Sequence, residues 1–324
     1  MKRTVIYFLF LTALNLLIIT RLYSLFSYAD ITAVAYGKGE VAESALTRLA
    51  RENESEKIFS EAVLWKAEGK VPISFSGTGR EQIVSLYRVK GQQSAVFGEM
   101  LERGRYFTEG ERNVCLLDTE TARTIFGSDN VLGLEVDVEG KRLAVAGLLL
   151  GDQPLCVVPA GDGAEYDGIA AKKAERMSSS AAAFGTLEAS LGNVGQQRID
   201  GHLYYMTACL FYFLPAAGCF FWAGVRERKK RIIALLYLVL SAEVMIMGIG
   251  FASPGSDYLP SYWSDFDFFL QCFTEKRLQV KGLSCHQEFV SWQRMFGLWR
   301  QALVLEMMAV VLQVCVHPWV TGGR

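Results

Sequence analysis

Two glutamates, Glu243 and Glu306, sit inside stretches of the chain that are otherwise apolar. An ionisable group in such a stretch is costly, so it turns towards the interior of a helix bundle or towards water. Asn15, in a third apolar stretch, has an amide that can bond across helices and join them in a polar seam. One reading makes Glu243, Glu306 and Asn15 an inter-helix contact or part of a translocation path. The other makes each Glu a protonated or snorkelling side chain in a tolerated place. Arg300, six residues before Glu306, is the nearest basic group in sequence.

The remaining reactive residue types form no catalytic pattern. Of seven cysteines, Cys209, Cys219 and Cys315 fall in apolar stretches, where a thiol is a small apolar side chain. Cys115 and Cys156 lie in strand-like runs and read as buried thiols. Cys272 and Cys285 flank a short stretch that the topology below places outside the cell, which makes them the candidate disulfide. The three histidines are scattered, and Cys285-His286 is an adjacent pair, a spacing that rarely holds one metal. No metal or cofactor is expected. A phosphate loop needs a Gly-rich turn followed by Lys-Ser/Thr. Gly77-Thr78-Gly79-Arg80 and Thr321-Gly322-Gly323 lack that spacing and the Lys. Gly-x-Ser-x-Gly is absent, and Ser178-Ser179-Ser180 reads as a linker or helix edge. The chain is therefore not expected to be an enzyme, and any ATP hydrolysis would belong to a partner.

The elements that carry these residues divide into two kinds. Hydrophobic residues make up 51% of 324, and the mean hydropathy is +0.20, as a mixture of membrane and water-exposed parts requires. Four windows approach the roughly 20 apolar residues of a membrane helix: 5–26, 203–225, 232–251 and 298–320. The last is the least clean, with Arg300, Gln301, Glu306 and His317. Lys2 and Arg3 before the first window, with Ala33-Val34-Ala35 after it, allow a signal peptide. The apolar stretch exceeds the roughly 7–15 residues of a signal core, which favours an uncleaved anchor. Residues 226–231 contain five basic residues in six. The positive-inside rule then puts both termini and this turn in the cytoplasm, with 28–200 and the loop 252–297 outside. Between two spans, the basic run is no nucleic-acid patch. Within it, Arg228, Lys229 and Lys230 are candidates for a cytoplasmic contact. Residues 28–200 hold 26 Asp/Glu against 19 Lys/Arg, a difference of −7, which argues against docking on nucleic acid or anionic lipid. Tyr262, Trp263, Phe266, Phe268 and Phe269 read as an aromatic belt at the membrane surface, or else as a docking patch.

Residues 28–200 read as a mixed α+β domain. An amphipathic helix is expected over 41–60. Strands follow at 62–65 and 71–75, separated by a turn at Glu68-Gly69, and at 81–90. Residues 114–117 form a buried strand. Asp118 caps a helix that begins at Thr119 and stops at Phe126-Gly127. A hairpin joins 134–138 to 141–150 across Glu139-Gly140. One further strand occupies 155–159, 161–168 is a linker, and helical segments resume from Ile169.

Several of these features together resemble a known family. They are the turn Gly104-Arg105-Tyr106-Phe107-Thr108, the strand Val114-Cys115-Leu116-Leu117, Ala122, Phe126-Gly127, Asn130-Val131-Leu132-Gly133, Val136 and Val145-Ala146-Gly147. The pattern is similar to the periplasmic core domain of MacB-like ABC-transporter permeases and covers roughly residues 1–160. The stretch Val84 to Gly91 is similar to a further strand of that family. The resemblance implies an α+β extracytoplasmic domain inserted between the first and second of four transmembrane helices. It also implies a cytoplasmic ABC ATPase as partner, a lipid bilayer around the spans, and a homo- or hetero-oligomer. The chain departs from the family in two places. Only residues 226–231 separate the second and third spans, where the family has a longer segment with an ATPase-docking helix. About 45 residues, 252–297, join the third and fourth spans, where the family has a short turn. Two functions stay open: a permease-like subunit coupling a separate ATPase to the outer domain, and a non-transporting membrane-anchored binding or scaffold protein.

Overall fold

The structure, a computed structural model, describes residues 2–97, 100–151, 153–175, 179–192, 195, 197–226, 231–253, 255–258, 262, 266–285 and 290–312. The chain forms two compact units. One holds residues 1–29, 201–259 and 294–324; the other holds 30–200 and 260–293.

In the first unit, helix α1 (Lys2–Phe26) opens the chain. The second unit begins with β1 (Ile31–Ala35), β2 (Val41–Ala42), α2 (Ser44–Glu56), β3 (Phe59–Phe75), β4 (Arg80–Gly91) and the single turn α3 (Ser94–Phe97). It continues with β5 (Leu101–Gly104), β6 (Val114–Asp118), α4 (Thr119–Phe126), β7 (Glu135–Val138), β8 (Lys141–Leu149) and β9 (Leu155–Pro159). Next come β10 (Glu165–Tyr166), β11 (Gly168–Lys173), α5 (Ser180–Leu191) and β12 (Gln197–Asp200). The chain then enters α6 (Gly201–Arg226) and α7 (Arg231–Ala252) of the first unit. Helix α8 (Phe266–Cys285) belongs to the second unit, and α9 (Val290–Val311) lies mostly in the first.

The main sheet runs β12-β1-β11-β3-β4-β9-β6-β8-β5, with β7 against β3 and β8. Its two halves bury separate cores. Around α4, the residues Val84, Leu86, Leu117, Ile125, Val136, Leu148 and Val158 pack together. Around α2 and α5, the core is Val34, Leu49, Leu64, Tyr166, Ile169, Phe184 and Leu187. Asp118 ties α4 to β9: one carboxylate oxygen accepts the Thr121 N–H at 2.9 Å and the other accepts that of Leu155 at 2.7 Å. Gly127 closes α4 at φ +76, as an αL cap requires. The β7–β8 hairpin turns on Glu139 and Gly140, both at positive φ, the pair a type I′ turn needs.

Several expectations need correction. The turn at Glu68-Gly69 is a bulge inside one 17-residue strand, β3. Its register against β4 shifts between Ala67 and Gly69, and Gly69 takes φ +96 there. A glycine that signals a chain reversal in sequence equally serves a bulge. The helix expected over 41–60 is shorter: Val41 joins β2, and Phe59 already begins β3. Helix does not resume at Ile169. That run is β11, held between β1 and β3 with Ile169, Ala170 and Ala171 fully buried. Alanine is the best helix former, but propensity is a weak determinant that pairing on both edges overrides. Ala33-Val34-Ala35 lies buried in β1, paired on both sides.

The segment 252–297 contains a helix of 20 residues, α8, packed beside edge strand β12. Gln197 donates from Nε2 to the Gln279 carbonyl at 3.1 Å, and Arg198 lies 3.9 Å from Glu275. Cys272 and Cys285 stand thirteen positions apart on this one helix. At about 1.5 Å rise per residue their backbones are about 20 Å apart, whereas a disulfide needs Cα atoms roughly 4–7 Å apart. The expected intrachain bond cannot form.

Candidate functional site

The first unit is helical, and several of its described polar groups meet around one cavity. Among the described residues, two stretches are long and apolar enough to cross a membrane, Val5–Phe26 in α1 and Leu235–Ala252 in α7. Side chains such as Leu9, Leu16, Leu236 and Ile246 are exposed on them. The 203–225 window lies within α6, and the 298–320 window is helical to Val311 and described only to residue 312.

Helices α1, α6, α7 and α9 meet around a cavity of about 180 Å³, to which Asn15, Phe211, Tyr212, Val244 and Glu306 contribute. Tyr212 donates its hydroxyl to Asn15 Oδ1 at 2.9 Å, and Asn15 donates from Nδ2 to the Leu11 carbonyl at 2.8 Å. Glu306 is only 4% exposed, and neither carboxylate oxygen has a hydrogen-bond partner. Pro215 also lines the cavity. It lacks the N–H that would bond the Phe211 carbonyl one turn earlier. Around this centre the helices are pinned by Trp299 Nε1 donating to Thr207 Oγ1 at 3.0 Å. Ser241 donates to the Ala217 carbonyl at 2.8 Å, and Tyr7 to that of Leu312 at 3.2 Å.

The structure therefore brings together two of the three polar residues expected to form a seam. Asn15 and Glu306 line one cavity, while Glu243 is exposed on α7 and its neighbour Val244 faces the cavity instead. Arg300 is exposed and lines a different hollow with Arg21, so it is no partner for Glu306. Tyr212 and Pro215 were missed. The signal for both was present, since a proline and a phenol inside an apolar stretch are the groups that disturb a helix or need a partner. Arg228, Lys229 and Lys230 lie outside the described residues, as do Trp263 and His286. Tyr262 is exposed, as are Phe269 and Phe273 on α8. His202 is buried, with Nε2 2.9 Å from the Ser253 carbonyl, and no group of metal-ligating side chains occurs among the described residues.

The second unit has a polar cleft of about 260 Å³, formed by the turn 107–112 against the ends of β4 and β9. Lys90 pairs with Glu43 and lies 4.0 Å from Asp162, which also pairs with Arg112. The Lys90 hydrogen bond, with that of the Gly163 N–H at 2.8 Å, holds the Glu43 carboxyl below its ordinary value. Gln93 is buried beside them, its Oε1 without a partner. Cys115 and Cys156 are both fully buried, and the neighbouring Cys115 together with burial pushes the Cys156 thiol well up.

The fold defines the second unit as a mixed α+β domain. Three solved structures are similar to it. The periplasmic region of MacB from Actinobacillus actinomycetemcomitans is 16% identical over 53% of this chain and 89% of that one, with a TM-score of 0.44. The extracellular domain of the noncanonic ABC-type transporter YknZ from Gram-positive bacteria is 14% identical over 50% and 95%, at 0.39. A domain of a putative permease protein from Porphyromonas gingivalis is 14% identical over 50% and 84%, at 0.36. No family model matches the chain, and no curated protein does.

Proposed function

We propose that this chain is a permease-like membrane subunit of an ABC-type system, in which a separate cytoplasmic ATPase is coupled to the extracytoplasmic domain. The observation that carries this reading is how the domain is tied to its helices. Strand β1 follows α1, strand β12 leads directly into α6, and the two strands pair antiparallel, Thr32 against Asp200. Both ends of the domain thus leave from neighbouring strands of one sheet. A sliding of α1 against α6 would be felt at that strand pair, which suits a domain that transmits motion and performs no chemistry. The turn and strand motifs from Gly104 to Gly147, which resemble the MacB-like core, support the same reading. In this proposal both termini are cytoplasmic, the four apolar stretches cross the bilayer, and the chain works as an oligomer.

One observation favours the scaffold alternative. Helix α6 ends at Arg226 and α7 begins at Arg231, which leaves no length for a docking helix on the cytoplasmic side. The five basic residues there would have to grip an acidic groove on the ATPase, an attraction that weakens with salt. Affinity purification from gently solubilised membranes decides between the two. Wild type is compared with a variant carrying Arg228→Gln, Lys229→Gln and Lys230→Gln, with Arg226 and Arg231 kept to preserve orientation. An ATPase recovered with wild type and lost with the variant supports coupling. Recovery of none in several detergents and salt concentrations replaces the permease reading with the scaffold.

A further inference from the structure

We infer that the cavity between α1, α6, α7 and α9 is a binding site for the head of an amphiphilic primary amine, with the Glu306 carboxylate as its counter-charge. The inference begins with a mismatch of donors and acceptors. The two Glu306 oxygens are buried and unpartnered. Among the described residues, the Tyr212 hydroxyl is committed to Asn15, and the Asn15 amide spends one of its two N–H groups on the Leu11 carbonyl. Pro215 withholds a further N–H from the Phe211 carbonyl on the same wall. Among the described residues the cavity thus presents several oxygen acceptors against one unused side-chain N–H, the second of Asn15. A buried carboxylate in this position strongly favours an occupant that brings positive charge and N–H groups.

The rest of the lining selects among cations. Phe211, Tyr212 and Phe213 offer aromatic surface, and Val244 and Ala309 are aliphatic. A bare metal ion needs about six oxygen ligands, more than this wall supplies. A primary ammonium has three N–H donors, enough for the two carboxylate oxygens and one of the remaining acceptors. Its alkyl body would lie against the apolar side, with the rings adding cation–π attraction. The volume, about 180 Å³, equals roughly six water-sized groups, which fits an ammonium with a short alkyl chain. This site does not depend on the permease reading: binding without any ATPase would leave coupling open, and coupling without binding would leave the cavity unexplained.

The test uses the purified full chain in nanodiscs of neutral lipid at pH 8, with empty nanodiscs as the partitioning control. Hexylammonium chloride is titrated by calorimetry, with hexanol as the uncharged probe and sodium chloride as the metal-ion probe. Saturable hexylammonium binding is expected, weakened at least tenfold by Glu306→Gln, while any hexanol binding is unchanged by that substitution. Ala309→Leu keeps the carboxylate and fills the cavity, so it should also abolish saturable binding. It decides alone if Glu306→Gln fails to fold. Three results would each overturn the inference. They are hexanol binding as tightly as hexylammonium, equal hexylammonium affinity in wild type and variant, and sodium displacing the amine at millimolar concentration.

Discussion

At the scale of single residues, how much the sequence reveals depends on whether the partner is near in the chain. Asp118 and Gly127 could be assigned as the two caps of α4 because a cap is settled within one helical turn. The second bond of Asp118, to Leu155, comes from 37 residues away and was not legible. Burial raises the Asp118 carboxyl above its ordinary value, and the donated hydrogen bonds oppose that rise. Asp118→Ala leaves two buried N–H groups without an acceptor and should destabilise the domain by about 2–3 kcal/mol. Thermal unfolding of the full chain measures this. A loss no larger than that of a surface substitution would contradict the structural role. Glu306 and Glu243 looked alike in sequence, each a lone carboxylate in an apolar run. Which of them is enclosed depended on the rotation of its helix against three others.

At the scale of elements, ambiguous sequences went to the structure with more backbone partners. Gly69 read as a turn and became a bulge because β4 continues to pair past it. Residues 169–173 read as helical and became part of a central strand because open edges waited on both sides. Edge strand β12 is held by side chains as well as by pairing. Arg198 donates from Nε and Nη2 to Glu188 of α5, both at 2.8 Å, and lies 5.7 Å from the centre of the Phe184 ring. The Arg198 hydrogen bonds hold the Glu188 carboxyl below its ordinary value of 4.5. A carboxyl whose folded value is lowered stabilises the fold above its unfolded value, and that contribution disappears as pH falls through the folded value. Glu188→Gln should therefore cost about 1 kcal/mol at pH 7, discounted because Arg198 is partly exposed. It should cost much less near pH 3. Melting curves of wild type and variant at the two pH values would show their difference shrinking. A difference that stays constant with pH would remove the ion pair from the account.

For the whole molecule, the proposed arrangement has residues 28–200 and 252–297 on one side of the bilayer and both termini on the other. Ser76→Cys and Ser256→Cys, each in a background without other cysteines, should react with a membrane-impermeant maleimide in intact cells. Protection of either until the cells are permeabilised would refute the topology. The sequence by itself determined the division into apolar helices and an α+β domain, the capped helix α4 and the β7–β8 hairpin. Those features are written in composition and in contacts a few residues long, so they are readable along the chain. Only the tertiary structure decided that β12 lies beside β1 and that α8 joins the domain edge. It also decided that Asn15, Tyr212 and Glu306, nearly 300 residues apart at the extremes, share one cavity. Such contacts depend on which faces of distant elements meet, and hydrophobic periodicity specifies that a face is buried without specifying against what.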